Sequence, residues 1–573
     1  DPAAHTNLGI ALCLQASTEK GLWHLKRAVE LKPDFALAHE NLCLCLNYAD
    51  HVSRDEAFAL HRRYGQLLSQ AIGENLQTSI EPATTRPLRV GFVSGDFRSH
   101  SVAYFIEPLF ASHHTQRFHF TAYSNTRRED GVTQRLKQLV ESWRDITAMS
   151  DAAAIELIRG DRIDILIDLA GHTSGNRLRI FAHRVAPVQI TYLGYPNTTG
   201  LPSVDFRLSD RWAEADDAQA FYTETLLQMD PGFLCYLPSK EAPQFEAPPS
   251  EKNGYVTFGC FNSLAKLSPT TTRLWAEILA KVPRSRLCLK DPRLSDEATA
   301  KQILKIFTKA GIQSDRVDLL GFSADHSSHM AAYHKVDIAL DAFPYNGTTT
   351  TCEALWMGVP TVTLCGSAHA SRVGNSLLHR LNLSRFIASS ADEYVSIAVK
   401  LASDRPGRIE LRQTLRDRMT ASSLTNAAMV TSDFEACLDR AWAAKTRDHT
   451  PPQHSRWANA ANGMSIAVPD DIFQMTTWVL EEQRDWFEDE IHFVRKLVQP
   501  GDQTLDIGAN HGVYTLSMAQ AVGVEGRVVA FEPSHLTAQR LRASVERNGL
   551  SQVTVVEAAL SKENGQATLF TGA

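Results

Sequence analysis

Near the start of the chain, apolar positions keep helical spacing. Leu25, Ala28, Val29 and Leu31 fall at helical spacing, and Lys32-Pro33-Asp34 ends the segment because proline cannot continue a helix. Ala4-His5-Thr6-Asn7-Leu8 returns as Ala38-His39-Glu40-Asn41-Leu42, 34 residues on. A period of that length marks a stacked two-helix repeat. Such units bury their apolar faces only against neighbours, so a full repeat and part of a second predict the end of a longer solenoid over 1–80. After a polar stretch at Thr78–Pro87 the pattern changes to short β-branched runs alternating with helical segments. Strands are predicted at Leu88–Val93, Phe118–Ser124, Ile163–Asp168, Pro187–Leu193 and Phe206–Ser209, with a helix at Ala152–Arg159 between them. A second series runs through Tyr255–Phe258, Arg286–Lys290, Val317–Leu320, Val336–Leu340, Thr361–Leu364 and Arg385–Ala388, and a helical stretch, Leu411–Ala444, closes it. Strand–helix alternation predicts parallel sheets covered by helices.

Pro-, Glu- and Ser-rich residues at 237–253 read as a linker, and 446–464, with Pro451-Pro452, as another. The organisation predicted is a helical region at 1–80, α/β lobes at 87–236 and 254–445, and a further α/β segment at 465–573. Two successive open sheets face each other across a cleft, and ligands sit beyond the carboxyl ends of their strands.

Composition removes several alternatives. A length of 573 residues excludes a single small domain, and 43% apolar residues exclude disorder as the main state. A net charge of −7 supplies no field to gather polyanions, which argues against bulk nucleic-acid binding. No run reaches the ~18 apolar residues of a spanning helix. Asp1-Pro2-Ala3-Ala4-His5 lacks the charged and apolar regions of a signal peptide, so a cytoplasmic location is expected. The start without Met reads as a piece of a longer chain. Nine Cys without any Cys-x-x-Cys read as reduced thiols.

The strongest chemical signal follows the Val336–Leu340 run: Asp341-Ala342-Phe343-Pro344-Tyr345-Asn346-Gly347-Thr348-Thr349-Thr350-Thr351-Cys352-Glu353. Strand, glycine-containing loop and threonine-rich helix start make a cradle of free N–H groups and hydroxyls for phosphate. Glu353, just inside that helix, is placed to accept hydrogen bonds from ribose. Phe261-Asn262-Ser263-Leu264-Ala265-Lys266 follows the first strand of the same sheet, so Lys266 opens on the same cleft. There an amine offsets the charge of a departing diphosphate. His100 in Gly95-Asp96-Phe97-Arg98-Ser99-His100 and His172 in Asp168-Leu169-Ala170-Gly171-His172 both follow strands of the first sheet, where imidazole can exchange a proton near neutral pH. No Asp-x-Asp of the kind that holds a divalent ion on a diphosphate is present, so no metal is expected.

Five ordered blocks give these motifs a family resemblance: Gly95–His100, Ala186–Gln189 with Gly194–Gly200, Phe261–Lys266, Asp341–Glu353 and Ala370–Val373. Residues from about Pro87 to Ala444 resemble the protein O-glycosyltransferases typified by O-GlcNAc transferase and SPINDLY. In that family tetratricopeptide repeats precede two facing Rossmann-like lobes of the type called GT-B. The resemblance implies His100 at the sugar and diphosphate, Lys266 on the diphosphate, Thr348, Thr349 and Thr350 on phosphate, and Glu353 on ribose. It also implies Ser263, Ala324, His326 and His329 around the nucleotide. It implies transfer of GlcNAc from UDP-GlcNAc to Ser or Thr of acceptor proteins gathered by the repeats, with inversion. Repeats also offer a surface for oligomerisation. Thr348-Thr349-Thr350, Glu353 and Ser263 depart from the O-GlcNAc transferase pattern towards SPINDLY, which implies GDP-fucose as the alternative donor. A catalytically silent scaffold is the reading of a different class.

Asp506-Ile507-Gly508-Ala509-Asn510-His511-Gly512, Val529–Pro533, Asn548-Gly549-Leu550 and Ala558–Ser561 resemble FkbM-type class I methyltransferases. That implies S-adenosylmethionine near Asp506, Gly508 and Glu532, on a sheet short of its full strand number.

Overall fold

The computed structural model describes residues 1–72, 86–446, 454–460, 463–471, 474–486 and 489–560. The chain divides into two compact units, Asp1–Thr446 and Arg447–Ala573.

The first unit opens with four helices, α1 (Pro2–Leu14), α2 (Thr18–Leu31), α3 (Ala36–Leu46) and α4 (Arg54–Ile72), each packed on the next. Cys13, Leu22, Leu25, Leu42, Cys45 and Leu46 form their shared core. Most of the polar stretch after α4 lies outside the described residues.

A seven-stranded sheet follows: β1 (Leu88–Ser94), β2 (Phe118–Ser124), β3 (Ser142–Asp145), β4 (Ile165–Asp168), β5 (Val188–Thr191), β6 (Phe206–Ser209) and β7 (Thr225–Gln228). Every pair is parallel, in the order β3-β2-β1-β4-β5-β6-β7. The chain reverses its direction of travel across the sheet between β1 and β4. The second sheet contains β8 (Thr257–Cys260), β9 (Arg286–Lys290), β10 (Val317–Leu320), β11 (Ile338–Leu340), β12 (Thr361–Leu364) and β13 (Ile387–Ala388). It is parallel in the order β10-β9-β8-β11-β12-β13, with the reversal between β8 and β11. At such reversals the loops diverge to opposite faces and leave a crevice. The loops there are those of Asp96–His100 after β1, Leu169–His172 after β4, Phe261–Lys266 after β8 and Asp341–Thr348 after β11.

Strands β3 and β7 were not expected from the pattern. Both are edge strands with half-exposed side chains, so neither carries an apolar run. The stretch Leu411–Ala444, expected as one helical close to the second lobe, is two helices, Arg405–Thr420 and Ala427–Thr446. The latter packs on the first sheet, where Phe434 stacks with Phe92 and Tyr192 at 6.4 and 5.7 Å. Periodicity identifies a helix but not which sheet receives its apolar face.

The helical region is seated on the first sheet's loops. Tyr195 donates to the Cys43 carbonyl (2.6 Å) and receives Asn47 Nδ2 (2.9 Å). Beside it the backbones of α4 and the Gly200 turn touch: a Cβ on Gly65 would lie 1.8 Å from the Gly200 oxygen.

In the second unit, β14 (Ser455–Asn459) pairs antiparallel with β15 (Ser465–Pro469), and β16 (Gln503–Ile507), β17 (Arg527–Phe531) and β18 (Val553–Val556) form a parallel sheet. Strand β14 falls inside the expected linker 446–464. Its five residues, Ser-Arg-Trp-Ala-Asn, are too polar to show as a strand until they pair with Ile466–Val468. Pro451-Pro452 and Ser561 lie outside the described residues.

The Gly65–Gly200 contact yields a test. Gly65→Ala forces a methyl into backbone and is expected to destabilise by about 1–3 kcal/mol, seen as a lowered thermal midpoint. Gly131→Ala, at a helix start with nothing within 4 Å of the added carbon, is expected to leave the midpoint unchanged.

Candidate functional site

The loop after β11 is built around Asp341. This carboxylate is buried and receives the amides of Gly347 (2.6 Å) and Ala342 (2.9 Å) and the Thr363 hydroxyl (2.9 Å). Burial pushes its carboxyl up to about 6, against those hydrogen bonds and the Lys266 charge. Asn346, wholly buried, ties the loop to the Ala370–Val373 block, its amide donating to the Ala370 carbonyl (2.8 Å). The loop thus runs without slack into the helix Thr349–Trp356. Gly347 is required by closeness: a Cβ there would stand 2.6 and 2.7 Å from the Thr350 and Thr351 hydroxyls and 2.9 Å from Asn262 Oδ1.

Lys266 closes a short turn after β8, Leu264–Lys266, which is held by the Leu264 amide on Asp291 (3.0 Å). Its ammonium donates to the Asn346 carbonyl (2.7 Å) and lies 3.9 Å from the centre of the Tyr345 ring. It forms no ion pair among the described residues. Burial lowers its pKa to about 8, with Asp341 and Cys260 opposing. The amine is therefore a cation at neutral pH, partly desolvated and without a carboxylate on it.

Lys266 and Tyr345 line one crevice of about 1030 Å³ between the two sheets, together with His100, Ser263, Thr348, Thr349, Thr350, Gly194 and His369. The first N–H groups of the helix have no intrahelical partners. The Thr349 hydroxyl is buried and makes no hydrogen bond, whereas Thr350 donates to Asn262 (2.6 Å). His100 Nδ1 receives the Val102 amide (3.3 Å) and stands 3.6 Å from Asp96. Burial holds its pKa below the usual 6.5, against the Asp96 carboxylate and with the help of Arg98. A neutral imidazole faces an amine and a helix start across the crevice. The arrangement can hold a polyanion and take up or hold a proton beside it.

Glu353, His326 and His329 form a second cluster. Glu353, on the next turn of the same helix, is buried and receives His329 Nε2 (3.0 Å) and the Tyr333 hydroxyl (3.2 Å). Lys290 lies 2.9 Å from His329 Nδ1. His326 meets the Tyr104 hydroxyl of the first lobe at 3.3 Å, and its Nε2 is buried without a partner. Ala324 is exposed just ahead of helix His326–Ala331. Ser263 is exposed and receives Arg293 (2.7 Å). His172, expected as a proton-transfer candidate, is instead buried under α4, its Nε2 on the Thr199 carbonyl (2.9 Å) and its ring against those of His61, Tyr64 and Tyr195. The chain beyond β4 turns that side chain away from the crevice and leaves Thr173 to line it. Sequence reasoning missed Asn346, Tyr345 and His369. The first two stood inside a quoted motif, but a loop Asn or Tyr carries no chemical signal of its own.

In the second unit, Gly508 turns at φ +79 between β16 and helix Val513–Val522, and Glu532 follows the adjacent β17. Glu532 receives the Asn510 and Ser534 amides, both at 2.8 Å, leaving each oxygen one further lone pair. Asp506 is engaged with the Thr515 hydroxyl, and burial raises its pKa.

Two facing parallel α/β lobes, with the loops of both sheet reversals opening on one crevice, define the GT-B class of fold. Residues 68–236 and 248–434 match the model of glycosyl transferase family 41, and the chain belongs to that family. It is 40% identical over 417 residues to the probable UDP-N-acetylglucosamine–peptide N-acetylglucosaminyltransferase SPINDLY of Hordeum vulgare, covering 72% of this chain and 44% of that one. The SPINDLY protein of Arabidopsis thaliana is 39% identical over 426 residues, covering 74% and 47%. The chain thus spans about half the length of the curated relatives it matches. A solved structure of a mutant O-GlcNAc transferase of Thermobaculum terrenum superposes with a TM-score of 0.74 and 35% identity, covering 78% of this chain and 85% of that one. Residues 489–562 match the model of protein-L-isoaspartate(D-aspartate) O-methyltransferase, a methyltransferase likeness for this segment. No helix among the described residues is long and apolar enough to cross a membrane.

Gly347→Ala tests how closely the cradle is built. The added methyl displaces two threonine hydroxyls, and pyrophosphate binding measured by titration calorimetry is expected to weaken about tenfold. Unchanged affinity would contradict the tight packing.

Proposed function

We propose that the first unit transfers a sugar from a nucleotide sugar to Ser or Thr hydroxyls of proteins, with GlcNAc from UDP-GlcNAc as the leading donor. The observation that carries this reading is the meeting of the Lys266 amine, the helix start at Thr349 and its unpartnered hydroxyl in one crevice. As the bond from the anomeric carbon to the diphosphate breaks, the electron pair leaves with the diphosphate. The amine and the helix N–H groups meet that growing charge, so no divalent ion is invoked. The acceptor hydroxyl attacks from the opposite face and inverts the centre. Its proton passes to His100 or to water, His100 otherwise orienting the two reactants. Glu353, His329 and His326 are proposed to hold the ribose and base, and Ser263 and Ala324 to border them. The helical region is proposed to gather acceptor proteins.

Transfer of fucose from GDP-fucose is the second reading, favoured by the residue choices at Thr348-Thr349-Thr350, Glu353 and Ser263. For the second unit, Asp506, Gly508 and Glu532 are the residues that would hold S-adenosylmethionine, which supplies an electrophilic methyl group when bound. No methyl acceptor is assigned.

Thermal stabilisation by UDP against GDP, followed by mass spectrometry of peptides with each donor, separates the readings. Lys266→Ala is expected to lower transfer by about 100-fold or more with its thermal midpoint kept, and near-normal turnover would remove Lys266 from the mechanism. Because the amine acts as a cation and its pKa is held at about 8, kcat/KM is expected to fall as pH rises through that value. A flat profile to pH 10 would contradict the charge assignment.

A further inference from the structure

The connection between α3 and α4, residues 47–53, touches the crevice loops at several points. Asn47 meets Tyr195 (2.9 Å) and Asn197 (3.0 Å), and Asp50 receives the Thr270 amide (2.8 Å) at the start of helix Pro269–Lys281, just past Lys266. Between these contacts Tyr48 stacks on Tyr345, with ring centres 5.4 Å apart and planes 15° from parallel. Tyr345 is the ring over which the Lys266 ammonium lies at 3.9 Å. The chain of contacts therefore runs from the helical region, through the rings of Tyr48 and Tyr345, to the Lys266 ammonium, which also donates to the Asn346 carbonyl.

We propose that Tyr345 and Tyr48 are positioning residues for the Lys266 amine: Tyr345 carries the ammonium on its ring, and Tyr48 fixes that ring. The seat of the helical region on the lobes then sets where the cation meets a diphosphate. This rests on the assignment of Lys266 to the diphosphate. A lysine head is a point charge on a flexible stem, and one carbonyl leaves it free to rotate away. A ring face attracts the ammonium through its quadrupole without neutralising it, so the charge stays available to a polyanion, as it would not beside a carboxylate. The ring in turn needs a support, because Tyr345 sits in a loop. Tyr48 supplies one from a segment that shares no secondary structure with that loop.

The groups that face Lys266 are Asp341 at the end of β11, Cys260 at the end of β8, Tyr345 in its loop and His100 across the crevice, with Arg207 and Tyr48 acting on Tyr345. Removing the ring's quadrupole while keeping the site dry disfavours the ammonium. Its titration then moves to lower pH.

The experiment compares Tyr345→Leu, Tyr345→Phe, Tyr48→Leu and Tyr48→Phe in the full chain, reading kcat/KM for the donor across pH 6–10 together with thermal midpoints. Tyr345→Leu is expected to lose about tenfold in kcat/KM and to bring the alkaline limb down by about one pH unit. Tyr345→Phe is expected to stay within about twofold of the parent. Tyr48→Leu shifts the limb in the same direction by less, and Tyr48→Phe restores it. If Tyr345→Leu does not fold, the Tyr48 pair carries the same comparison. A limb that stays put in the leucine variants, or equal losses in leucine and phenylalanine variants, overturns the proposal. An active Lys266→Ala instead removes the reading of the site beneath it, so the two failures are distinguishable.

Discussion

A single ammonium group at the end of the turn after β8 is held within reach of a backbone carbonyl and an aromatic ring, and no carboxylate forms an ion pair with it among the described residues. Paired with a buried carboxylate it would be a structural ion pair and spent electrostatically. Left in water it would be one screened surface charge among many. Half-buried and unpaired, it keeps a positive potential at the mouth of a helix whose own first N–H groups add to it. The Asp341 carboxylate is close enough to favour the charged amine, yet it is used up by two backbone amides and the Thr363 hydroxyl. That division of labour lets the loop be tight and the cation free.

The architecture follows from the need to bring this charge opposite a second set of groups. Each parallel sheet has one reversal, and each reversal opens its loops towards the same crevice, His100 from the first lobe and Lys266 with Thr348–Thr350 from the second. Helix Ala427–Thr446 ties the lobes by returning to the first sheet through Phe434, with Glu435 receiving the His114 amide (2.6 Å). The helical region is more than an appendage, since its α3–α4 connection reaches loops of both lobes.

Much of this was legible in the sequence where burial is one-dimensional. The runs Phe118–Ser124, Phe206–Ser209, Arg286–Lys290 and Thr361–Leu364 coincide with strands because the middle of a parallel sheet, covered on both faces, favours apolar and β-branched residues; the edge strand Val317–Leu320 showed because three of its four residues are apolar. Ser142–Asp145 and Thr225–Gln228 escaped because edge strands need not be apolar. The chemistry divides in the same way. Lys266 and Thr348–Thr350 stood out because strand-end loops of α/β sheets carry ligands, and the structure brings them to one crevice with His100. His172 obeyed the same rule and yet points into a packed interface, since which way a side chain leaves a loop depends on what covers it. Tyr345 and Tyr48 lie far apart in sequence and look like core aromatics. Only their contact in space gives them a role.

The most direct measurement is a crystal structure of the chain with a nucleoside diphosphate bound. The β-phosphate is expected within hydrogen-bond distance of Lys266 Nζ and of the N–H groups and hydroxyls at Thr348–Thr350, with the Thr349 hydroxyl now partnered. A diphosphate bound elsewhere, with Lys266 still directed only at the Asn346 carbonyl, would contradict the account.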